Sequence, residues 1–242
     1  VGSGVDHRRA GELRQGVEHR SGRHVAAVDG PVLEDAVVEP VDRAALVDNE
    51  RVLVRGDLQD VLDQAVMKTR SIIEEKSPDL TNKDEVAKTV GVGSVVFDTL
   101  SSARIKDIVF SFDRVLNFDG ETGPYVQYTH ARCASLLRRA PEGWQSAAPD
   151  YAALDNAEAF AAAKLLQGFP DVVHRACDKN EPYLITRHVI ELAKAFNRFY
   201  YEHRVIDEDT VQTAARLALA QATKQVIKTG LWLIGVDAPE RM

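Results

Sequence analysis

The spacing of apolar residues predicts helices along most of the chain from residue 57 onward. In residues 57–76 an apolar or small residue recurs every three or four positions, with charged residues between. These positions are Leu58, Val61, Leu62, Ala65, Val66, Thr69 and Ile72. Such a repeat places one apolar stripe along a helix, and Ser77-Pro78 is expected to end it. A second helix is predicted over residues 82–101, with Asn82 as its N-cap.

Two shorter patterns interrupt this helical region. The stretch GVGS at 91–94 shares glycines with phosphate-binding loops but lacks their third glycine and their lysine. We therefore predict that Gly91 and Gly93 allow close packing between helices. Further on, DIVFSFDRVLN at 107–117 alternates apolar residues in the manner of a β-strand.

After Pro124 the pattern is helical throughout and predicts a bundle with short connections. The predicted helices cover 124–140, 155–167, 170–178, 182–204 and 209–229. Asp155 and Glu158 have the spacing of a capping box, Pro182 suits a first helical turn, and Gly230 is placed as a C-terminal cap.

The first 56 residues differ from the rest in composition, since they contain no lysine, phenylalanine, tryptophan or tyrosine. Few large apolar groups are available to offset the entropy of ordering this segment. We expect it to be an atypical leader that is disordered or translated from a wrong reading frame. The scattered His7, His19 and His24 are interpreted as surface residues, because no cysteine or carboxylate spacing supports a metal site.

Charge and cysteine content narrow the classes of function. A net charge of −7 argues against a protein that coats nucleic acid by charge alone, although a local basic face is compatible with it. Cys133 and Cys177 have no metal-ligand spacing and are interpreted as reduced thiols. No apolar run has the length of a membrane span and no signal peptide is recognisable. We expect a cytoplasmic protein without membrane partners.

Three stretches resemble one family. FDGETGPYVQYTHAR at 118–132, LAKAFNRFYYEHRV at 192–205 and LIGVDAPERM at 233–242 are similar to the junction, the central bundle helix and the terminal signature of arginyl-tRNA synthetases. This class I resemblance implies a mainly α fold, in which a helical anticodon-binding bundle of the DALR type follows the C-terminal remnant of a Rossmann-type catalytic domain. The implied division is a leader at 1–56, the end of the catalytic and stem-contact region at 57–127, and the bundle at 128–242.

The resemblance also implies an activity and its partners. The complete enzyme would attach arginine to the tRNA for arginine in an ATP-dependent reaction, with ATP and Mg²⁺ as cofactors, and is expected to be a monomer. The HIGH-type and KMSK-type motifs of the family are not found. Where the KMSK-type motif should lie, residues 47–56 read VDNERVLVRG. This chain alone is therefore expected to form no arginyl-adenylate and to bind no cofactor.

No catalytic or metal-binding residue is nominated, because the histidines have no serine or cysteine partners that the sequence reveals. The candidate tRNA-binding residues are Arg132, Arg187, Lys194, Arg198 and Tyr201. The last four lie with Glu191 at three- and four-residue spacing on one face of a helix, opposite a predicted buried stripe of Val189, Leu192, Phe196 and Phe199. Spacing alone favours a solvated face, whereas the resemblance implies RNA contact. Tyr125 and Tyr128 are assigned to packing at the junction.

Two other functions are compatible with the residues. The chain could be a free-standing tRNA-binding module, or a helical protein-interaction domain without RNA binding or catalysis.

Overall fold

The computed structural model describes residues 57–146 and 149–242, which fold mainly as α-helices and contain no β-strand within those ranges. The helices are α1 (Leu58–Lys76), α2 (Lys83–Leu100), α3 (Phe112–Val115), α4 (Gly123–Arg138), α5 (Ala157–Lys179), α6 (Tyr183–Glu202) and α7 (Thr210–Leu233). Two 3₁₀ turns, Trp144–Ser146 and Tyr151–Leu154, connect α4 to α5. The mainly α fold is confirmed. The expectations for residues 1–56 lie outside the described residues.

Helices α1 and α2 pack so closely that their contact depends on glycine. A Cβ atom on Gly91 would lie 2.8 Å from the backbone nitrogen and Cα of Val66. One on Gly93 would lie 2.9 Å from the side-chain amide of Gln127 in α4. The predicted packing role of both glycines is confirmed. The buried residues of α1 are Ala65, Thr69 and Ile73, so the predicted stripe is correct in its middle, whereas Leu58 at its start is 69% exposed and Ile73 replaces Ile72 at its end.

The β-strand predicted within 107–117 is wrong. Residues 107–111 have no regular secondary structure and lead into the single turn of α3. An extended segment is stable only when its backbone groups pair with another strand, and the described residues provide none. The segment is fixed instead by Arg114, whose guanidinium binds Asp98 of α2 at 2.6 Å and the carbonyl oxygen of Val109 at 2.6 Å.

Helix α4 begins at a turn that contains glycine and proline. Thr122 is the N-cap, and its hydroxyl accepts a hydrogen bond from the backbone N–H of Tyr125, while Pro124 lies in the first turn as predicted. A Cβ atom on Gly123 would lie 2.9 Å from the Cβ of Phe97 in α2, so only glycine fits this entry point. The predicted stripe of α6 is confirmed, because Val189, Leu192, Phe196 and Phe199 are all completely buried.

The two helices predicted over 155–167 and 170–178 form one helix, α5, which continues through Pro170. Proline removes one backbone donor and crowds the preceding turn. Packing compensates for this loss, because Phe169 and Val172 on either side of the proline are buried. In addition, the His188 side chain of α6 donates a hydrogen bond to the Leu165 carbonyl at 2.9 Å.

Two predicted helix caps are wrong, and a third is confirmed in position. Asn156, not Asp155, caps α5, since its side-chain oxygen accepts from the N–H of Ala159 at 2.8 Å. Gly230 is a buried interior residue of α7, where the Val189 side chain fills the space that a Cβ would need. The helix ends near Gly235, whose φ of +75° favours glycine. Asn82 is the N-cap of α2 as predicted, where its backbone carbonyl accepts from the N–H of Val86 at 3.1 Å, although its side chain makes no capping hydrogen bond.

Within 57–146 and 149–242, no helix combines the length and apolarity needed to cross a membrane.

Candidate nucleic-acid interface

An open groove of about 600 Å³ lies between α4, α6, the α1–α2 connection and the C-terminal residues. Five cationic side chains line it, against one acidic side chain, that of Asp79. The cations are Lys76, Arg132, Arg138, Arg139 and Arg241, and two tyrosines, Tyr128 and Tyr200, lie among them. A protein with a net charge of −7 therefore concentrates positive charge in one concave surface. Cations interleaved with aromatic rings are typical of single-stranded RNA binding.

Arg132 lines this groove and lies beside two aromatic rings. Its guanidinium lies 4.8 Å from the ring centre of Tyr128 and 4.9 Å from that of Tyr200, both within cation–π distance. The same guanidinium donates a hydrogen bond to the side-chain oxygen of Asn197. The Asn197 amide in turn donates to the hydroxyl of Thr129 at 2.8 Å. These contacts fix the plane of the guanidinium before any ligand arrives.

The local sequence explains why these groups meet. Tyr128 and Arg132 are four residues apart and therefore neighbours on the same face of α4. Arg138 and Arg139 lie one to two turns further, where cations also interact favourably with the helix C-terminus. Tyr200 reaches the groove from α6, on a different face from its exposed neighbour Tyr201.

The predicted tRNA-binding residues of α6 lie outside this groove. Arg187 and Tyr201 are exposed, Tyr201 at 87%. Lys194 forms an ion pair with Glu121 of the turn before α4 and lies 3.2 Å from Glu191. Arg198 is 3.6 Å from Glu158 of α5. The structure therefore brings only Arg132 of the five into the groove and gives Lys194 and Arg198 acidic partners within the chain.

The Lys194 pair alters the titration of both partners. The hydrogen bond from Lys194 is the main reason why the pKa of the Glu121 carboxyl lies below its ordinary value, and the charge of Arg187 contributes in the same direction. The corresponding hydrogen bond raises the pKa of Lys194. The pair connects the glycine-containing turn to α6, which is a structural role for Lys194.

Sequence reasoning assigned Tyr125 and Tyr128 alike to packing, and the structure separates them. Tyr125 is half-buried against the bundle core. Tyr128 is 41% exposed and lines the groove. The four-residue spacing of Tyr128 and Arg132 was the sequence feature that could have placed Tyr128 beside Arg132 in the groove. The contributions of Tyr200, Arg138, Arg139 and Arg241 were missed, because they depend on the tertiary arrangement.

The cysteines and histidines of the described residues differ in burial and in their partners. Cys133 is completely buried, and burial raises the pKa of its thiol, whereas Cys177 is exposed. His203 pairs with Glu158 at 3.4 Å, and His188 and His130 contact backbone carbonyls. Among the residues that the structure describes, no group of His, Cys, Asp or Glu side chains could bind a metal ion.

Two protein families match the chain. Residues 126–242 match the DALR anticodon binding domain. Residues 50–112 match the catalytic domain of class I (R) tRNA synthetases. The groove lies mostly on the first of these regions, and its α1–α2 wall lies on the second.

Curated relatives and solved structures agree with these matches. The arginine–tRNA ligase of Halothermothrix orenii is 45% identical over 211 residues, which is 86% of this chain and 37% of that protein. The enzyme of Clostridium perfringens is 51% identical over 76% of this chain and 33% of its own length. Thermus thermophilus arginyl-tRNA synthetase superposes with a TM-score of 0.70 at 34% identity, covering 76% of this chain and 32% of its own.

The chain thus spans about a third of the length of the curated relatives it matches. The matched residues 126–242 contain the stretches 192–205 and 233–242 and part of 118–132, by which the sequence resembles the family. Residues 126–242 thus match the DALR anticodon binding domain, and the part of the chain that aligns is related to the C-terminal part of arginyl-tRNA synthetases.

Proposed function

We propose that this chain supplies tRNA anticodon binding to an arginine–tRNA ligase. The observation that carries the proposal is the Arg132 guanidinium beside Tyr128 and Tyr200, in a basic groove that lies mostly on the DALR domain. Unpaired anticodon bases expose their aromatic faces, which stack on tyrosine rings and on guanidinium planes. Arg139 and Arg241 at the groove wall are available to the phosphates beside a stacked base.

The exposed face of α6 forms a second part of the proposal. Arg187, Lys194, Arg198 and Tyr201 would contact the tRNA backbone and an adjacent base. Both side chains of the Lys194–Glu121 pair are substantially exposed, and Arg198 is 74% exposed beside Glu158, which is 19% exposed. Exposed pairs of this kind contribute little free energy to the fold, at most about 1 kcal/mol. A phosphate could therefore replace the carboxylate partner at small cost.

We propose that the complete enzyme carries out the arginine–tRNA ligase reaction. There, ATP with Mg²⁺ would activate arginine for transfer to the tRNA for arginine, and a monomeric cytoplasmic enzyme is proposed. Residues 57–127 would form the end of the catalytic and stem-contact region, and 128–242 the anticodon-binding domain. The chemistry of activation is assigned to residues outside 57–242.

The test is binding of an arginine tRNA transcript over a series of salt concentrations. Each lost phosphate contact should lower the salt slope by roughly 0.7–0.9. Arg139→Ala tests the groove, Arg187→Ala tests the face of α6, and Arg175→Ala on the exposed side of α5 is the matched control.

We expect Arg139→Ala to lower the slope and Arg175→Ala to leave it unchanged. If Arg187→Ala alone lowers the slope, the α6 face is the RNA surface and the groove is not. If all three folded variants keep the slope of the parent chain, or if the parent binds no tRNA, the proposed function is wrong.

A further inference from the structure

The last residues of the chain form one wall of the groove without any regular secondary structure. After α7, Gly235 turns the chain, and residues 236–242, here named the C-terminal tail, run back along α4. Val236 is buried in the bundle core. The final residues, Arg241 and Met242, line the groove together with Tyr128 and Arg132.

Two buried side chains of α4 bind the backbone of this tail. The amide nitrogen of Gln127 donates a hydrogen bond to the carbonyl oxygen of Asp237 at 2.7 Å. Nδ1 of His130 lies 2.9 Å from the carbonyl oxygen of Pro239. Because a carbonyl can only accept, Nδ1 must carry the proton. Both side chains are completely buried, and neither lines the groove.

Two further contacts bind the tail at Glu240. Arg138 donates to the Glu240 carbonyl at 3.0 Å, and Lys224 of α7 pairs with the Glu240 carboxylate at 2.7 Å. These groups are partly exposed, so each contact contributes less than a buried one. Together, the contacts at Asp237, Pro239 and Glu240 position the two residues that follow, Arg241 and Met242.

The polar character of Gln127 and His130 is otherwise unexplained. The Gln127 side-chain oxygen and the His130 Nε2 atom are buried without a hydrogen-bond partner, and Nε2 is 3.9 Å from the nearest Glu240 carboxylate oxygen. An unpaired buried polar atom is unfavourable. Apolar side chains of similar size would avoid this cost. The advantage of Gln127 and His130 must therefore come from their hydrogen-bonded nitrogen atoms, the amide nitrogen of Gln127 and Nδ1 of His130. Those atoms contact only backbone carbonyls, of the tail and, more weakly, of Thr89.

We propose that Gln127 and His130 are positioning residues for RNA binding, which act by fastening the C-terminal tail so that Arg241 and Met242 complete the groove. The inference rests on the proposed function for its RNA partner, and on the described contacts for the attachment of the tail. Neither residue would touch RNA. Loss of either side-chain donor would loosen the wall of the groove while leaving Tyr128, Arg132 and Tyr200 in place.

Two substitutions at one position separate positioning from general stability. In His130→Asn the side-chain amide nitrogen can occupy nearly the place of Nδ1 and keeps a donor for the Pro239 carbonyl. In His130→Leu the volume is similar but the donor is lost. A third variant lacks Arg241 and Met242, and a fourth combines this deletion with His130→Leu. The melting temperature of each full chain shows whether it is folded.

Attachment of the tail is measured without RNA, as the rate at which a carboxypeptidase removes Met242 and Arg241. One lost hydrogen bond corresponds to roughly a three- to tenfold change in an equilibrium. We expect His130→Leu to accelerate removal by that factor and His130→Asn to remain near the parent rate. Equal rates for His130→Leu and the parent would overturn the assignment of His130.

Binding of an arginine tRNA transcript gives the second comparison. We expect His130→Leu to weaken binding roughly three- to tenfold, His130→Asn to restore most of it, and the deletion to abolish the effect of His130→Leu. If His130→Leu weakens binding equally with and without the last two residues, the tail does not mediate its effect and the proposal is wrong. If the parent chain binds no tRNA, the role in RNA binding and the proposed function both fail, while the carboxypeptidase rates still decide whether His130 fastens the tail.

Discussion

Gly91 offers the sharpest test of the packing described for this chain, because its neighbours are backbone atoms. In Gly91→Ala the new Cβ would lie 2.8 Å from Val66 N and Cα and 2.9 Å from the carbonyl carbon of Ala65. Side chains can rotate away from such a contact, but a helix backbone cannot. Helices α1 and α2 would therefore have to separate, which loosens the packing of Val86, Val90 and Ile73 between them.

The expected loss follows from two opposing effects. Forcing extra volume into a well-packed contact costs roughly 1–3 kcal/mol, and three backbone contacts below 3 Å favour the upper end. Alanine is better than glycine inside a helix by about 1 kcal/mol. The net destabilisation should be about 2 kcal/mol, which for a unit of this size lowers the melting temperature by about 4–8 °C.

Gly168→Ala is the matched control, since Gly168 is also inside a helix but its Cβ would meet nothing within 4 Å. Only the helix-propensity effect remains there, so its melting temperature should rise by about 2–4 °C. Thermal unfolding followed by circular dichroism measures both variants against the parent chain. If Gly91→Ala is as stable as Gly168→Ala, the close approach of α1 and α2 does not depend on glycine and the reasoning is refuted.

Two further predictions concern capping and pH. Asn156→Ala should destabilise the chain by about 1 kcal/mol, because the N–H of Ala159 loses its acceptor. Asp155→Ala is the control and should change stability by no more than about 0.5 kcal/mol. Urea unfolding measures both variants, and equal effects would argue against Asn156 as the cap. Burial lowers the pKa of His130 and of His188 below the ordinary value, so the unfolded chain takes up more protons than the folded chain once the pH falls below about 6.5. Melting temperatures should therefore decline from pH 7.5 towards pH 5.5, less steeply in His130→Asn, and a flat profile would contradict the assignment.

The helices of this chain could be predicted from sequence because each depends on a local repeat, whereas their ends depend on competition between neighbouring residues. Asp155 and Asn156 are both good caps, and the structure selects Asn156, leaving Glu158 free to pair with His203 and Arg198. The sequence predicted a break between a helix over 155–167 and one over 170–178, where the structure has a single helix through Pro170. The burial of Phe169 and Val172 makes continuation more favourable than a break, and that burial depends on α6, which is distant in sequence.

The groove could be predicted only in part for the same reason. Tyr128 and Arg132 belong to one helix, and their spacing already indicated that they are neighbours. Their partners come from the α1–α2 connection, from Tyr200 on α6 and from the tail at Arg241, so no local pattern unites them. On α6 a local pattern was present, but it did not predict which cations are free of acidic partners. Its regular spacing of cations suggested a surface for phosphate, yet Glu121 and Glu158, far away in sequence, partly neutralise Lys194 and Arg198. Charge periodicity identifies which groups share a face, whereas their availability to a ligand depends on acids that other helices bring beside them.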